Sequence, residues 1–81
     1  MTKLEASIVE IVTRVNPSIT ISVSQLDQPL AGIGLDSLDH ANLLLQVEEA
    51  FGCKIPDDVS GDLTSVSLIA AFVVQSGAAR A

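Results

Sequence analysis

The sequence predicts an all-α fold, a small four-helix bundle of three main helices and one short helix, with a long loop between helices 1 and 2. Three observations carry that expectation. Apolar residues recur at three- and four-residue spacing in three separate stretches, which puts them on one face of a helix. The core must be aliphatic, because Phe51 and Phe72 are the only aromatics in a chain that is 48% apolar. Leu, Ile, Val and Ala suit packed helices better than a sandwich, although Val and Ile alone do not exclude strands. Finally, the one stretch that alternates like a strand has no second strand to pair with. At 81 residues the chain is expected to form a single domain, 1–81, near the lower size limit for unaided folding. Its mean hydropathy of +0.50 is too high for a disordered segment.

Leu4, Ile8, Ile11, Val12 and Val15 recur at helical spacing, with Lys3, Glu5, Glu10 and Arg14 mostly on other faces. This is helix 1, and Asn16-Pro17 stops it. Ile19, Ile21 and Val23 then alternate with Thr20, Ser22 and Ser24, which alone reads as a strand. Without a partner strand, the expectation is an extended loop from Pro17 to Asp36 whose apolar residues tuck onto the core. Gly32 and Gly34 give this loop backbone geometry closed to other residues. Ser37 to Phe51 is the clearest helix: Leu43, Val47 and Phe51 form a stripe, Leu44 and Ala50 broaden it, and Gly52 ends it. Pro56 opens an acidic stretch, Asp57 to Asp62, expected to make one irregular helical turn. Thr64 or Ser65 caps a last helix carrying Val66, Ile69, Phe72 and Val73. From Ser76 through Gly77 to Ala81 the tail should fray.

The net charge is −6 and the pI is near 4.2. Nucleic-acid binding needs a basic patch to replace counterions; the only bases are Lys3, Arg14, Lys54 and Arg80, so this class is excluded. Acidity by itself merely keeps an apolar small protein soluble. Its distribution says more. From Asp27 to Asp62 there are eight acids against one base, Lys54. The negative field is local, as a face for basic partners requires. Cys53 is alone, which rules out an internal disulfide and a cysteine metal cluster. Asp57, Asp58 and Asp62 lack the spacing of a calcium loop, so no metal site is expected. No stretch has the apolar length of a membrane span, and the N-terminus does not read as a signal peptide; a cytoplasmic protein is expected.

The segment Gly34-Leu35-Asp36-Ser37-Leu38-Asp39 stands at the start of the clearest helix, after the glycines. Read locally, Asp36 or Ser37 is simply an N-cap, satisfying free amides, and an Asp-Ser-Leu triplet occurs by chance in many proteins. The wider series is more specific. Gly34, Asp36-Ser37-Leu38-Asp39, Glu48-Glu49, Phe51-Gly52, Ile55-Pro56-Asp57-Asp58 and Thr64-Ser65-Val66 resemble the acyl carrier protein family in order and spacing.

That resemblance implies that Ser37 is an attachment serine. A phosphopantetheinyl transferase would move 4'-phosphopantetheine from coenzyme A onto its oxygen, and the terminal thiol would hold acyl cargo as a thioester. Asp36 would help place the transferase's metal or basic groups. Leu38, Asp39, Asn42, Leu45, Glu48, Glu49 and Asp58 would form the docking face. The partners implied are acyl- or aminoacyl-loading ligases, synthases and transferases with basic patches, meeting a carrier that is itself a monomer and no enzyme. Leu43, Val47, Ile55, Leu63 and Ile69 either line a cargo cleft or are simply core.

Departures from the family pattern point to a specialised carrier. Asn42 and Gly61 occupy positions often acidic, and Ala31-Gly32-Ile33 lacks carboxylates. An aminoacyl or peptidyl carrier with the same arm, and an acidic interaction module that is never modified, remain the alternatives. Ser37 and His40 lie three residues apart, but no acid is evidently placed to orient the imidazole. Hydrolysis is therefore disfavoured, and His40 is expected at the surface beside the docking face. Cys53 is expected to be a structural or idle thiol, having only Lys54 near to activate it.

Overall fold

A computed structural model describes residues 1–77. Its elements in order are α1 (Lys3–Val15), a 3-10 turn (Val23–Gln25), α2 (Leu30–Ile33), α3 (Ser37–Phe51), α4 (Asp57–Ser60) and α5 (Val66–Gln75). The described residues are thus all-helical, with three main helices as expected and one short helix more than expected. Of the tail expected to fray from Ser76, Ser76 and Gly77 form a turn whose amides donate to the Phe72 and Val74 carbonyls, and residues 78–81 lie outside the described residues.

Each main helix is bounded by its own sequence. Thr2 and Glu5 form a reciprocal capping box at the start of α1, satisfying two amides that the first turn leaves open. Pro17 has no amide hydrogen to continue the ladder, and α1 ends at Asn16, whose amide bonds the Val12 carbonyl at 2.9 Å. Gly52 closes α3 in the left-handed region at φ 64°. Of the two candidate caps for α5 it is Ser65, buried, whose hydroxyl accepts from the amide of Leu68 at 3.2 Å.

The helix α1 packs against both α3 and α5. Ile8 and Val12 from α1, Leu43 and Val47 from α3, and Val66, Ile69 and Val73 from α5 are fully buried. Fully burying each such side chain contributes roughly 1.5–3 kcal/mol, so this three-way contact is the main source of stability. Leu43, Val47, Ile55, Leu63 and Ile69 all belong to this core. Ala50 does not broaden the buried stripe of α3, being exposed, whereas Phe51 is half-buried and packs against the core.

The connection from Pro17 to Asp36 is more structured than a plain loop. Ile19 and Ile21 bury as expected, but Val23 is 63% exposed. The alternation fails there because the 3-10 turn begins at Val23, and its tighter winding ends the two-residue period. Leu26 and Leu30 supply the next buried contacts. Two backbone bonds fix the segment to the entrance of α5: Leu30 donates to the Thr64 carbonyl at 2.8 Å, and Ser67 donates to the Leu26 carbonyl at 3.0 Å. The two glycines part company. Gly34 has φ 128° and caps α2, whereas Gly32 lies within α2 with ordinary helical geometry. Only Gly34 needs a backbone that other residues avoid.

Candidate functional site

The turn at Gly34 aims the chain into α3. Leu35 is buried, and the next two residues, Asp36 and Ser37, emerge at the surface. Asp36 is the N-cap: its Oδ1 accepts from the amide of Asp39 at 2.8 Å, and its carbonyl accepts from the amide of His40 at 2.9 Å. Capping by Asp36 relieves Ser37 of that duty. Ser37 is the first helical residue, it is exposed, and among the described residues its hydroxyl has no hydrogen-bond partner.

The electrostatics around this hydroxyl are mixed. The start of a 15-residue helix presents a positive dipole end and free amides, which favour an anion. Against this stand the carboxylates of Asp36 and Asp39 in the cap and first turn. Such a site tolerates a phosphate best when a partner brings a cation alongside. An exposed, unpartnered hydroxyl with that surrounding fits covalent attachment of a phosphate group.

The expected docking residues divide into two sets. Leu38, Asn42, Leu45 and Glu49 recur at i, i+4, i+7 and i+11 along α3, and all four are exposed. Leu38 is 71% exposed and Leu45 54%, so a leucine pair forms the apolar part of this face. Asp39 and Glu48 are half-buried and committed elsewhere. The Asp39 carboxylate accepts from Nδ2 of Asn16 at 3.2 Å, joining the end of α1 to the start of α3. Glu48 Oε2 accepts from the amide of Ile55 at 2.5 Å. Asp58 is exposed on α4, but its neighbour Asp57 is the acid that lines a groove with Ser37, Asn42, Leu45 and Glu48. The role of Asp57 there was not read from the sequence. Its signal is its place at the first residue of α4 after Pro56.

His40 departs from expectation. It is half-buried, with its Nε2 2.8 Å from the carbonyl oxygen of Leu63. A carbonyl can only accept, so this nitrogen carries the proton and donates. The imidazole is a tie between α3 and the approach to α5, and no Ser37–His40 hydrogen bond forms. Cys53 is half-buried and packs against the core. Among the described residues, no group of three or more His, Cys, Asp and Glu is gathered to hold a metal. Nor is any helix among them long and apolar enough to cross a membrane.

A second groove flanks Ser37 on the side of α2, lined by Leu30, Leu35, His40, Gly61 and Thr64 among others. Its members are scattered over three stretches of sequence, within 29–31, 35–40 and 61–64, which is why pattern reading did not assemble it.

A family model described as a phosphopantetheine attachment site matches residues 6–73. The chain is 40% identical over 48 residues to "Acyl carrier protein, mitochondrial" of Dictyostelium discoideum, covering 59% of this chain and 40% of that protein. It is 38% identical over 47 residues to "Acyl carrier protein" of Guillardia theta, covering 58% of each. With "Acyl carrier protein 3, mitochondrial" of Arabidopsis thaliana it shares 27% identity over 74 residues, 91% of this chain and 56% of that one. The aligned segments thus span 40–58% of these relatives' own length. No solved structure matches the chain at a significant level.

Proposed function

The chain belongs to the family of phosphopantetheine attachment domains that includes the acyl carrier proteins, and from that premise we propose that Ser37 carries the arm and that the chain presents thioester-bound acyl groups to partner enzymes. The observation that supports this reading most is the free, exposed hydroxyl of Ser37 at the first residue of α3, with Asp36 serving as the cap.

The residues divide the work simply. Ser37 supplies the oxygen that forms a new bond to phosphorus, while the pyrophosphate link of coenzyme A breaks and adenosine bisphosphate leaves. The serine proton passes to a base of the transferase, since His40 is engaged with Leu63. Asp36 keeps one carboxylate oxygen beyond its capping bond for the transferase's cation. The bound group supplies a thiol that activates an acyl chain as a thioester. The chain itself needs no catalytic set, and on this reading it is a carrier rather than an enzyme.

Leu38, Leu45, Asn42 and Glu49 form the docking face, an apolar pair beside an amide and one carboxylate. With Asp39 and Glu48 already bonded inside the domain, fewer acids remain to steer a basic partner. Such a face depends more on fit around the leucines than on long-range attraction. This supports a dedicated carrier serving a narrow set of enzymes, working as a monomer in an aqueous compartment. Two of the relatives have mitochondrial names, so the mitochondrial interior stands beside the cytoplasm as its place of work.

Incubation with coenzyme A, magnesium and a broad-specificity transferase, followed by intact mass, tests attachment. Loading assays with fatty acids and with amino acids then separate an acyl carrier from an aminoacyl or peptidyl carrier. A folded chain that gains no mass is the acidic interaction module instead.

A further inference from the structure

Two grooves that differ in charge meet at Ser37, and His40 belongs to the wall of both. Resting on attachment at Ser37, we infer that His40 is a positioning residue that holds open the groove on the α2 side, and that this groove takes the apolar geminal-dimethyl stretch of the arm.

The chemistry of the two flanks differs. The groove on the α4 side is lined by Asn42, Glu48 and Asp57 together with Leu45. An attached phosphodiester is itself an anion, and leading it along two further carboxylates costs energy through like-charge repulsion. The groove on the α2 side has one carboxylate, that of Asp36, against the two of Glu48 and Asp57 on the other flank. The rest of its lining is apolar or neutral, with Pro29, Leu30 and Leu35 forming the apolar part. Its volume of about 270 Å³ falls below the roughly 300–1,000 Å³ of sites that swallow whole small molecules. It suits a stretch of a slim chain, leaving the thiol end outside for partner enzymes.

The groove is also held in shape before anything enters it. Leu30 donates to the Thr64 carbonyl at 2.8 Å, joining the α2 wall to the wall before α5. His40 Nε2 donates to the Leu63 carbonyl, also at 2.8 Å, joining the α3 wall to the same segment. Without the imidazole, the α3 wall loses its tie to residues 63–64 and the floor beside Ser37 is free to close. The acid-lined groove is left for a partner's basic side chain, a division of labour between the two flanks.

The test is solution NMR on the chain loaded with carbon-13-labelled phosphopantetheine, its loading verified by intact mass. The geminal methyls should show through-space contacts to Leu30, Leu35 and Thr64, and none to Leu45 or Ile55. Gly61 lines the groove, has ordinary φ, and a Cβ there meets nothing within 4 Å. Gly61→Phe should therefore fill the groove without entering the core and reduce those contacts at least tenfold. His40→Ala should reduce them similarly, and His40→Gln, which keeps a donor, should restore part of them. If His40→Ala does not fold, Gly61→Phe decides the groove and His40→Gln the positioning role, which fails if its contacts fall as low as with the groove filled. Methyl contacts to Leu45 or Ile55, no fixed contacts at all, or contacts that survive Gly61→Phe would overturn the groove. Contacts unchanged in a folded His40→Ala would overturn the role of His40. A chain that gains no mass overturns attachment, and the groove with it; a loaded chain with its methyls elsewhere overturns the groove alone.

Discussion

Glu48 Oε2 accepts a hydrogen bond from the backbone amide of Ile55, seven residues on. That bond pins the turn after Gly52 back against α3 and lets Ile55 bury in the core. Glu48 is therefore a structural acid on a helix whose neighbouring acid, Glu49, is exposed. Hydrogen bonds to charged groups contribute about 1.5–3 kcal/mol. Glu48→Ala should lower unfolding stability by roughly that amount, measured by urea denaturation. Glu49→Gln should leave stability within about 0.5 kcal/mol while slowing partner association at low salt. Equal stability losses in both variants would show that the Ile55 bond does not hold the turn.

Asp36 performs two tasks that substitution can separate. Asn caps a helix about as well as Asp, whereas Ala costs about 1 kcal/mol. Asp36→Asn should keep the melting behaviour of the native chain and still slow arm transfer severalfold, because the charge for the transferase's cation is gone. Asp36→Ala should lose both. Normal transfer kinetics in Asp36→Asn would confine Asp36 to capping.

Leu38 and Leu43 lie five residues apart on α3, one 71% exposed and the other fully buried. Leu38→Ala should change stability by no more than about 0.5 kcal/mol and yet raise the KM of partner enzymes severalfold. Leu43→Ala should cost about 2–5 kcal/mol, through lost burial and the cavity left behind. A large stability loss for Leu38→Ala would remove it from the docking face.

The main helices were legible because their signals are local. Pro17, the stripe through Leu43 and Val47, and Gly52 each state a boundary or a face within a few residues, and α3 spans Ser37–Phe51 as predicted. The helix α2 was hidden because Leu30–Ile33 is four residues long, too short for periodicity to register. It is held by the bond from Leu30 to Thr64, 34 positions away. The same limit applies at the site. Ser37 could be read from its neighbours, whereas the ties from His40 to Leu63 and from Asp39 to Asn16 join residues 23 apart. Composition alone marks all such groups as surface polar residues. The exposure of Val23 has the same origin, since an alternating period continues on paper after the chain has turned.

The most direct measurement is fragment mass analysis of the chain after incubation with coenzyme A, magnesium and a transferase. One phosphopantetheine should be found on the peptide containing Ser37, with none on Ser37→Ala. A folded chain left unmodified, or one bearing the group on a different serine, would contradict the account.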